Sequence, residues 1–284
     1  MTRRTLLPYW LAGPGLLAAL ALVALPLILT FALSFSPFTS ADGVGAGLTA
    51  ANYVEIATDD YYHEIFLRTF QMAFVVTIVC ILIGVPEAYI LGRLSPVMRA
   101  IAFAVVLGPL LISVVVRTLG WTILLGSEGV INHLLMSLGL ISEPLKLMYT
   151  FTGMSIALVH VLVPFVVLAV WTSLQKLDPA TEQAAESLGA GPITTLTRII
   201  LPQVLPGVLS GGLIVFALAS SAFATPAIIG GRRLKVVSTT IYDEFLNYLN
   251  WPLGAALSLV LLVIVLAVSL GVNRLVERRF RQVF

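Results

Sequence analysis

Charge is what this sequence has least of: 11% of its 284 residues are Asp, Glu, Lys or Arg, against about a quarter in an ordinary water-soluble domain. With 59% hydrophobic residues and a mean hydropathy of +1.03, it cannot cover its own surface with polar groups, so lipid must solvate most of it. A net charge of +2 is too small to argue for a nucleic-acid partner. One cysteine, Cys80, lies within an apolar run; alone it excludes an internal disulfide and any cysteine-based metal cluster, and it reads as packing. The three histidines, His63, His133 and His160, fall in different segments and give no metal-ligand spacing. No G-x-x-x-x-G-K followed by Ser or Thr occurs, so ATP is not handled in this chain by that kind of loop. Ser173-Leu174-Gln175-Lys176 formally matches S-x-x-K, but the companion S-D-N and K-T-G runs of that enzyme class are missing.

What is present is uncharged length. Six intervals of 17 or more residues hold no Asp, Glu, Lys or Arg: 5–41, 69–86, 100–116, 147–175, 199–231 and 245–273. Each fits one membrane crossing, which needs roughly 20 mostly apolar residues. Backbone groups cannot go unpaired in hydrocarbon, and the alternating pattern of an outer-membrane barrel is absent, so the crossings are helices. The expected fold class is an all-α membrane protein with spans near 10–35, 69–92, 100–120, 151–173, 205–229 and 253–273. The first uncharged interval, at 37 residues, is far longer than the apolar core of about 7–15 residues in a cleaved signal peptide, so it reads as an uncleaved first helix. No charged linker divides 1–284, which reads as one domain.

Six crossings put both termini on one side. Lys and Arg then divide ten against six, the larger group lying with the termini, the 93–99 turn and the 174–204 loop. The excess of basic residues marks that side as cytoplasmic. Arg232, Arg233 and Lys235 run against the rule. The outer 121–150 segment is too apolar for a plain loop; 129–140 suits a short interfacial or re-entrant helix, with Trp121 and Tyr149 as anchors.

The 174–204 loop reads as helix, corner, helix. Asp178 is placed to cap a helix opened by Pro179 and running through Glu182, Gln183, Ala184, Ala185 and Glu186. Gly189 is placed to end it in a left-handed conformation. Gly191-Pro192 opens a second helix through Leu196 and Arg198, and Pro202 and Pro206 are expected to break it before the fifth span. Ala184 and Ala185 would leave one flank nearly without side-chain bulk. Such a flank suits either a groove on another protein or ordinary packing on its own bundle.

Gln183-Ala184-Ala185, then three residues and Gly189, then nine residues and Ile199-Ile200-Leu201-Pro202, resemble the Glu-Ala-Ala signature of ABC importer permeases. Leu177-Asp178-Pro179 is also family-like. Arg117-Thr118-Leu119-Gly120-Trp121, Phe223-Ala224-Thr225-Pro226, Gly230-Gly231, Ile241-Tyr242-Asp243-Glu244-Phe245 and Asn250-Trp251-Pro252-Leu253-Gly254-Ala255-Ala256 look like the spermidine/putrescine branch of that family. The resemblance implies a type I importer fold with a cytoplasmic coupling helix around Ala184–Gly189, seated in a cleft of an ATPase. Glu182, Gln183, Arg198, Leu201 and Pro202 would belong to that coupling surface. It further implies a second permease subunit, two ATP-binding subunits using ATP and Mg, and a periplasmic solute-binding protein, with no cofactor in this chain and no catalysis by it. The departure is Gln183, where the signature has glutamate; an ion pair made there would become a neutral hydrogen bond.

Ionisable and hydroxyl groups inside spans are functional candidates because burying them is costly. Glu87 lies near the cytoplasmic end of the second span and can instead snorkel or pair with Arg93. Arg117 either meets a solute or caps a helix C-terminus. His160 can bond a neighbouring helix. Ser220, Ser221 and Thr225 line a polar path or bond to carbonyls a turn earlier. Gly207 and Gly211 form a small-xxx-small packing face. Polyamine-type relatives tend to carry an acid where this chain has Ala222, so the solute is left open among polyamine-like, opine, amino-acid-like and organophosphonate compounds. The rivals are a self-sufficient secondary transporter, which would show an internal repeat with paired broken helices, and an intramembrane enzyme. The chain shows no such repeat.

Overall fold

In the computed structural model, which describes residues 7–280, the apolar runs are helices whose ends follow capping chemistry rather than the limits of the uncharged intervals. The order is α1 (Leu7–Ser34), a small hairpin of β1 (Phe38–Thr39) and β2 (Gly43–Val44), α2 (Ala51–Thr58), α3 (Asp60–Arg93), α4 (Pro96–Leu111), α5 (Val114–Leu125) and α6 (Val130–Ser137). Then come α7 (Phe151–Leu174), α8 (Pro179–Ser187), α9 (Pro192–Thr194), α10 (Leu201–Ser220), α11 (Val237–Tyr242) and α12 (Trp251–Phe280). Among the described residues six helical stretches are long and apolar enough to cross a membrane.

The first, fourth and sixth spans fall close to the expected limits, and a short helix, α6, lies within 129–140. The others differ for identifiable reasons. α3 begins nine residues before the expected 69, because Asp59 Oδ1 accepts the Tyr61 amide at 2.8 Å and Glu64 pairs with Arg68 within the helix. Those charged turns lie outside any apolar window yet are helical. The third span, expected unbroken over 100–120, is divided: Ile112 (φ −92°, ψ 139°) and Ser113 (φ −50°, ψ 133°) are extended between α4 and α5. The break sits in a β-branched run, Ile112 and Val114–Val116, whose χ1 freedom is restricted in a helix. The fifth span starts earlier and ends sooner than 205–229. Neither proline breaks it: Pro206 lies inside α10, and Pro202 follows Thr195–Ile200, a π-helical turn in which the Leu201 amide reaches the Leu196 carbonyl. That wider turn leaves room for the Pro202 ring, which would clash in a regular helix. α10 stops at Ser220, and Pro226–Gly230 is a separate π-helical turn.

The described residues group into two compact units, one holding the described part of Met1–His63 with Thr240–Val263, the other Glu64–Thr239 with the described part of Ile264–Phe284. In the first, Asn52 Nδ2 donates to the Ser34 carbonyl at 2.9 Å and the Ser36 carbonyl at 3.1 Å, and the Tyr53 and Ser34 hydroxyls are 2.7 Å apart. These bonds satisfy carbonyls at the end of α1. The most apolar window of α1 contains no buried residue, so its surface is left for lipid or another chain.

The core of the second unit is built on α7, whose Met154, Leu162, Val166 and Val170 meet Met72, Val76 and Cys80 of α3 and Val204, Val208 and Val215 of α10. Cys80 is buried in it, as expected of a packing residue. α10 approaches α7 through glycines: a Cβ at Gly211 would lie 3.0 Å from the Ala169 Cβ and the Val166 Cα. This close approach maximises dispersion contact between helices that no hydrophobic effect drives together in lipid.

Candidate functional site

The loop after α7 is folded by its own caps. Asp178 Oδ1 accepts the Ala180 amide at 2.9 Å and opens α8. At the other end Gly189 adopts φ +79°, and the Ala190 amide reaches back to the Ala185 carbonyl at 3.0 Å. That six-to-one bond with a left-handed glycine is a Schellman ending. Gly191, extended at φ −74°, ψ 165°, starts α9 with Pro192 in the first turn.

Ala184 and Ala185 do not share a smooth flank. Ala184 is exposed whereas Ala185 is buried, as two consecutive helical positions about 100° apart must be when one face packs. Gln183 and Arg198 are exposed, Leu201 is half-buried and Pro202 exposed. At the corner Leu188 and Ile193 are 89% and 77% exposed, two large apolar side chains left uncovered.

Glu182 turns the other way. Its Oε1 accepts the Tyr89 hydroxyl at 2.7 Å and pairs with Arg93 at the end of α3. The Arg93 guanidinium also lies over the Tyr89 ring, 4.7 Å from its centroid. Burial alone would raise the Glu182 pKa, but the hydrogen bonds from Tyr89 and Arg93 and the Arg93 charge outweigh it and hold the carboxyl below its ordinary value. Tyr89 drew no attention in the sequence; its one signal is its position a helical turn before Arg93.

A second polar group lies between α5, α7 and the Thr225 turn. Arg117, in the first turn of α5, is buried and donates to the Pro109 carbonyl, one of the last carbonyls of α4. It therefore caps the C-terminus left open by the break at Ile112–Ser113. Its Nε has no partner among the described residues. Next to it Thr118 Oγ1 lies 3.4 Å from Thr225 Oγ1, and Trp121 Nε1 donates to His160 Nδ1 at 3.2 Å, joining α5 to α7. So three of the six intramembrane candidates, Arg117, His160 and Thr225, meet here through Thr118 and Trp121. Ser220 and Ser221 bond instead to the Phe216 and Ala217 carbonyls a turn earlier, at 2.8 and 2.9 Å. Glu87 is half-buried on α3, apart from this group, with no ion-pair partner among the described residues.

A family profile described as binding-protein-dependent transport system inner membrane component matches residues 43–282. The chain belongs to that family. It is 33% identical over 242 residues to the spermidine/putrescine transport system permease protein PotB of Escherichia coli strain K12, which covers 85% of this chain and 88% of that protein. The PotB of Haemophilus influenzae is 30% identical over 260 residues, 90% of this chain and 91% of its own. Among solved structures, a bacterial ABC transporter involved in import of the acidic polysaccharide alginate has the same fold, with a TM-score of 0.75 over 97% of this chain and 96% of that one at 19% identity. The inward-facing MetNI methionine ABC transporter matches with a TM-score of 0.58 over 78% of this chain and 99% of that one, at 16% identity.

The protein is thus an inner-membrane ABC importer permease, a transport component and not an enzyme. In this permease Arg117→Leu should leave the Pro109 carbonyl at the α4–α5 break without its donor. The expected cost is about 1–3 kcal/mol, read as a lowered Tm in detergent, with Thr118→Val, which lies beside it but caps nothing, falling less.

Proposed function

We propose that this permease forms half of a translocation pathway for a small polar solute delivered by a periplasmic binding protein. A second permease subunit supplies the other half, and two partner subunits hydrolyse ATP with Mg. Both termini and the 174–204 loop face the cytoplasm, and the whole of 1–284 works as one transmembrane domain. The loop helix docks on an ATPase through Gln183, Ala184, Gly189 and the outer face that Arg198, Leu201 and Pro202 continue, while Glu182 and Ala185 hold it to its own chain. Closure of the ATPases moves the loop helices, and the spans change which side their shared cavity faces through differential stabilisation of two states. Arg117, His160 and Thr225, with Ser220, Ser221 and Glu87 further along, are the residues offered to the path.

The observation that carries this reading is the corner itself. Leu188, just past the end of α8, and Ile193, in α9, are left uncovered on either side of the left-handed Gly189, and exposed large apolar side chains on a loop read as cytoplasmic support a docking surface. Leu188→Glu should strip the ATP-binding subunits from the purified complex while the permease itself still inserts. Undiminished co-purification with both Leu188→Glu and Ile193→Glu would sink the docking role.

For the solute, the PotB relatives support a polyamine-like compound, whereas Ala222, just past the fifth span, offers no carboxylate where a dication in low dielectric needs one. Opine, amino-acid-like and organophosphonate solutes fit that absence better. Ligand identification on the co-purified binding protein decides among them.

A further inference from the structure

The signature that a partner reads and the residue beside it point in different directions, and the second has its own partner inside the chain. Gln183 is exposed and neutral. Glu182, one position earlier, is tied to Tyr89 and Arg93 across a cleft of about 310 Å³ that runs between the inner ends of α3 and α7 and the start of α8. Tyr89, Arg93, Trp171, Asp178 and Glu182 are among the residues lining that cleft. Across this cleft one carboxylate, one hydroxyl and one guanidinium join α8 to α3. The far side of the cleft is held in a related way, with Arg99 over the Trp171 ring at 5.4 Å from its centroid and donating to the Leu91 and Leu94 carbonyls at the end of α3.

The geometry points to Glu182 as a positioning residue: with Arg93 and Tyr89 it latches the loop helix α8 to the inner end of α3, so that displacement of α8 is delivered to the second span. The inference rests on the coupling role proposed above and adds the route by which that role acts within the chain. α8 is joined covalently to α7 and packs on the π-helical turn before α10. α3 is not continuous with α8, and Glu182 bonds directly to its inner end, which makes Glu182 the member whose loss should separate docking from movement. An ion pair this exposed contributes little to overall stability, so its removal leaves the fold standing. Its directional content is in joining two elements that move.

The test uses the assembled importer in proteoliposomes, reading co-purified ATPase subunits, ATP hydrolysis and solute uptake together. Glu182→Gln and Arg93→Gln should keep the ATPase subunits and hydrolysis but raise the ATP consumed per solute about fivefold, the lower end of ordinary coupling between sites. Tyr89→Phe, which removes only the hydroxyl bond, should give a smaller rise. Exchanging the charges, Glu182→Arg with Arg93→Glu, should restore the ratio toward that of the parent. A merely structural role would lower yield, hydrolysis and uptake together with the ratio unchanged. An unchanged ratio in Glu182→Gln with the complex intact overturns the latch. Failure of the unaltered permease to retain any ATPase subunit overturns the docking proposal instead, so the two can be told apart.

Discussion

Gly207→Leu is expected to remove folded permease from the membrane. A Cβ at that position would lie 2.7 Å from the Ala169 carbonyl oxygen and 2.8 Å from the Ser173 Cβ. The first of these is backbone of α7, which cannot turn aside as a side-chain tip can. α7 supplies the centre of the core and α10 is its principal neighbour, so relief requires the two helices to separate along a shared face. Overpacking in a well-packed core costs about 1–3 kcal/mol and sometimes more. In lipid no gain in hydrophobic burial compensates for the lost close contact. Gly207→Ala should already lower the Tm in detergent. Gly211→Ala should cost less, since its closest neighbours, at 3.0 Å, lie at the edge of what a few tenths of an ångström can relieve. Gly15→Leu, on α1 where nothing lies within 4 Å of the new Cβ, is the control and should leave yield and Tm unchanged. A Gly207→Leu permease with the parent's Tm and monodisperse elution would show that α7 and α10 do not pack as described.

The packing face of Gly207 and Gly211 was legible because small residues four apart in an apolar helix have few other uses. So were the caps at Asp178 and Gly189, since each is a local rule linking one side chain or one φ angle to the backbone within a turn. The count of spans was legible for a coarser reason: hydrocarbon forbids unpaired backbone, so length and lack of charge suffice.

What escaped sequence reasoning falls into two kinds. The break at Ile112–Ser113 and the π turn before Pro202 are changes in how a helix closes its hydrogen bonds, and hydropathy is blind to them. A β-branched run and a pair of prolines were the available signals, and the prolines were misleading, because Pro202 follows a widened turn and Pro206 sits inside an unbroken helix. The pairing of Glu182 with Tyr89 is of the other kind. Its partners are 93 positions apart, and a tertiary contact across that separation leaves no periodicity or spacing to read. Position 182 was therefore read with the coupling surface, when its side chain is engaged by Tyr89 and Arg93 of its own chain.

Replacing Gly189 should separate geometry from bulk at the corner proposed to dock. The residue sits at φ +79° with nothing within 4 Å of where a Cβ would be. No substitution clashes inside this chain, and the cost of a side chain there is conformational. A left-handed residue bearing a Cβ costs about 1–2 kcal/mol, less for Asn, which tolerates that region, and most for a β-branched residue. Gly189→Val should therefore unwind the end of α8, losing the Ala190-to-Ala185 and Leu188-to-Ala184 bonds (3.0 and 3.2 Å) and moving Leu188 off its docking position. Uptake per ATP hydrolysed by the assembled importer should fall at least about tenfold, the equivalent of roughly 1.4 kcal/mol, while the permease remains inserted. Gly189→Asn keeps the backbone shape and adds a side chain facing outward, so it discriminates. If Asn behaves like the parent, the helix ending is what matters at 189. If Asn fails as badly as Val, the bare surface itself is read by the partner, because only a close-fitting external groove would then explain the loss. Normal uptake by the Val variant would mean that neither the shape nor the surface of this corner transmits the ATPase stroke.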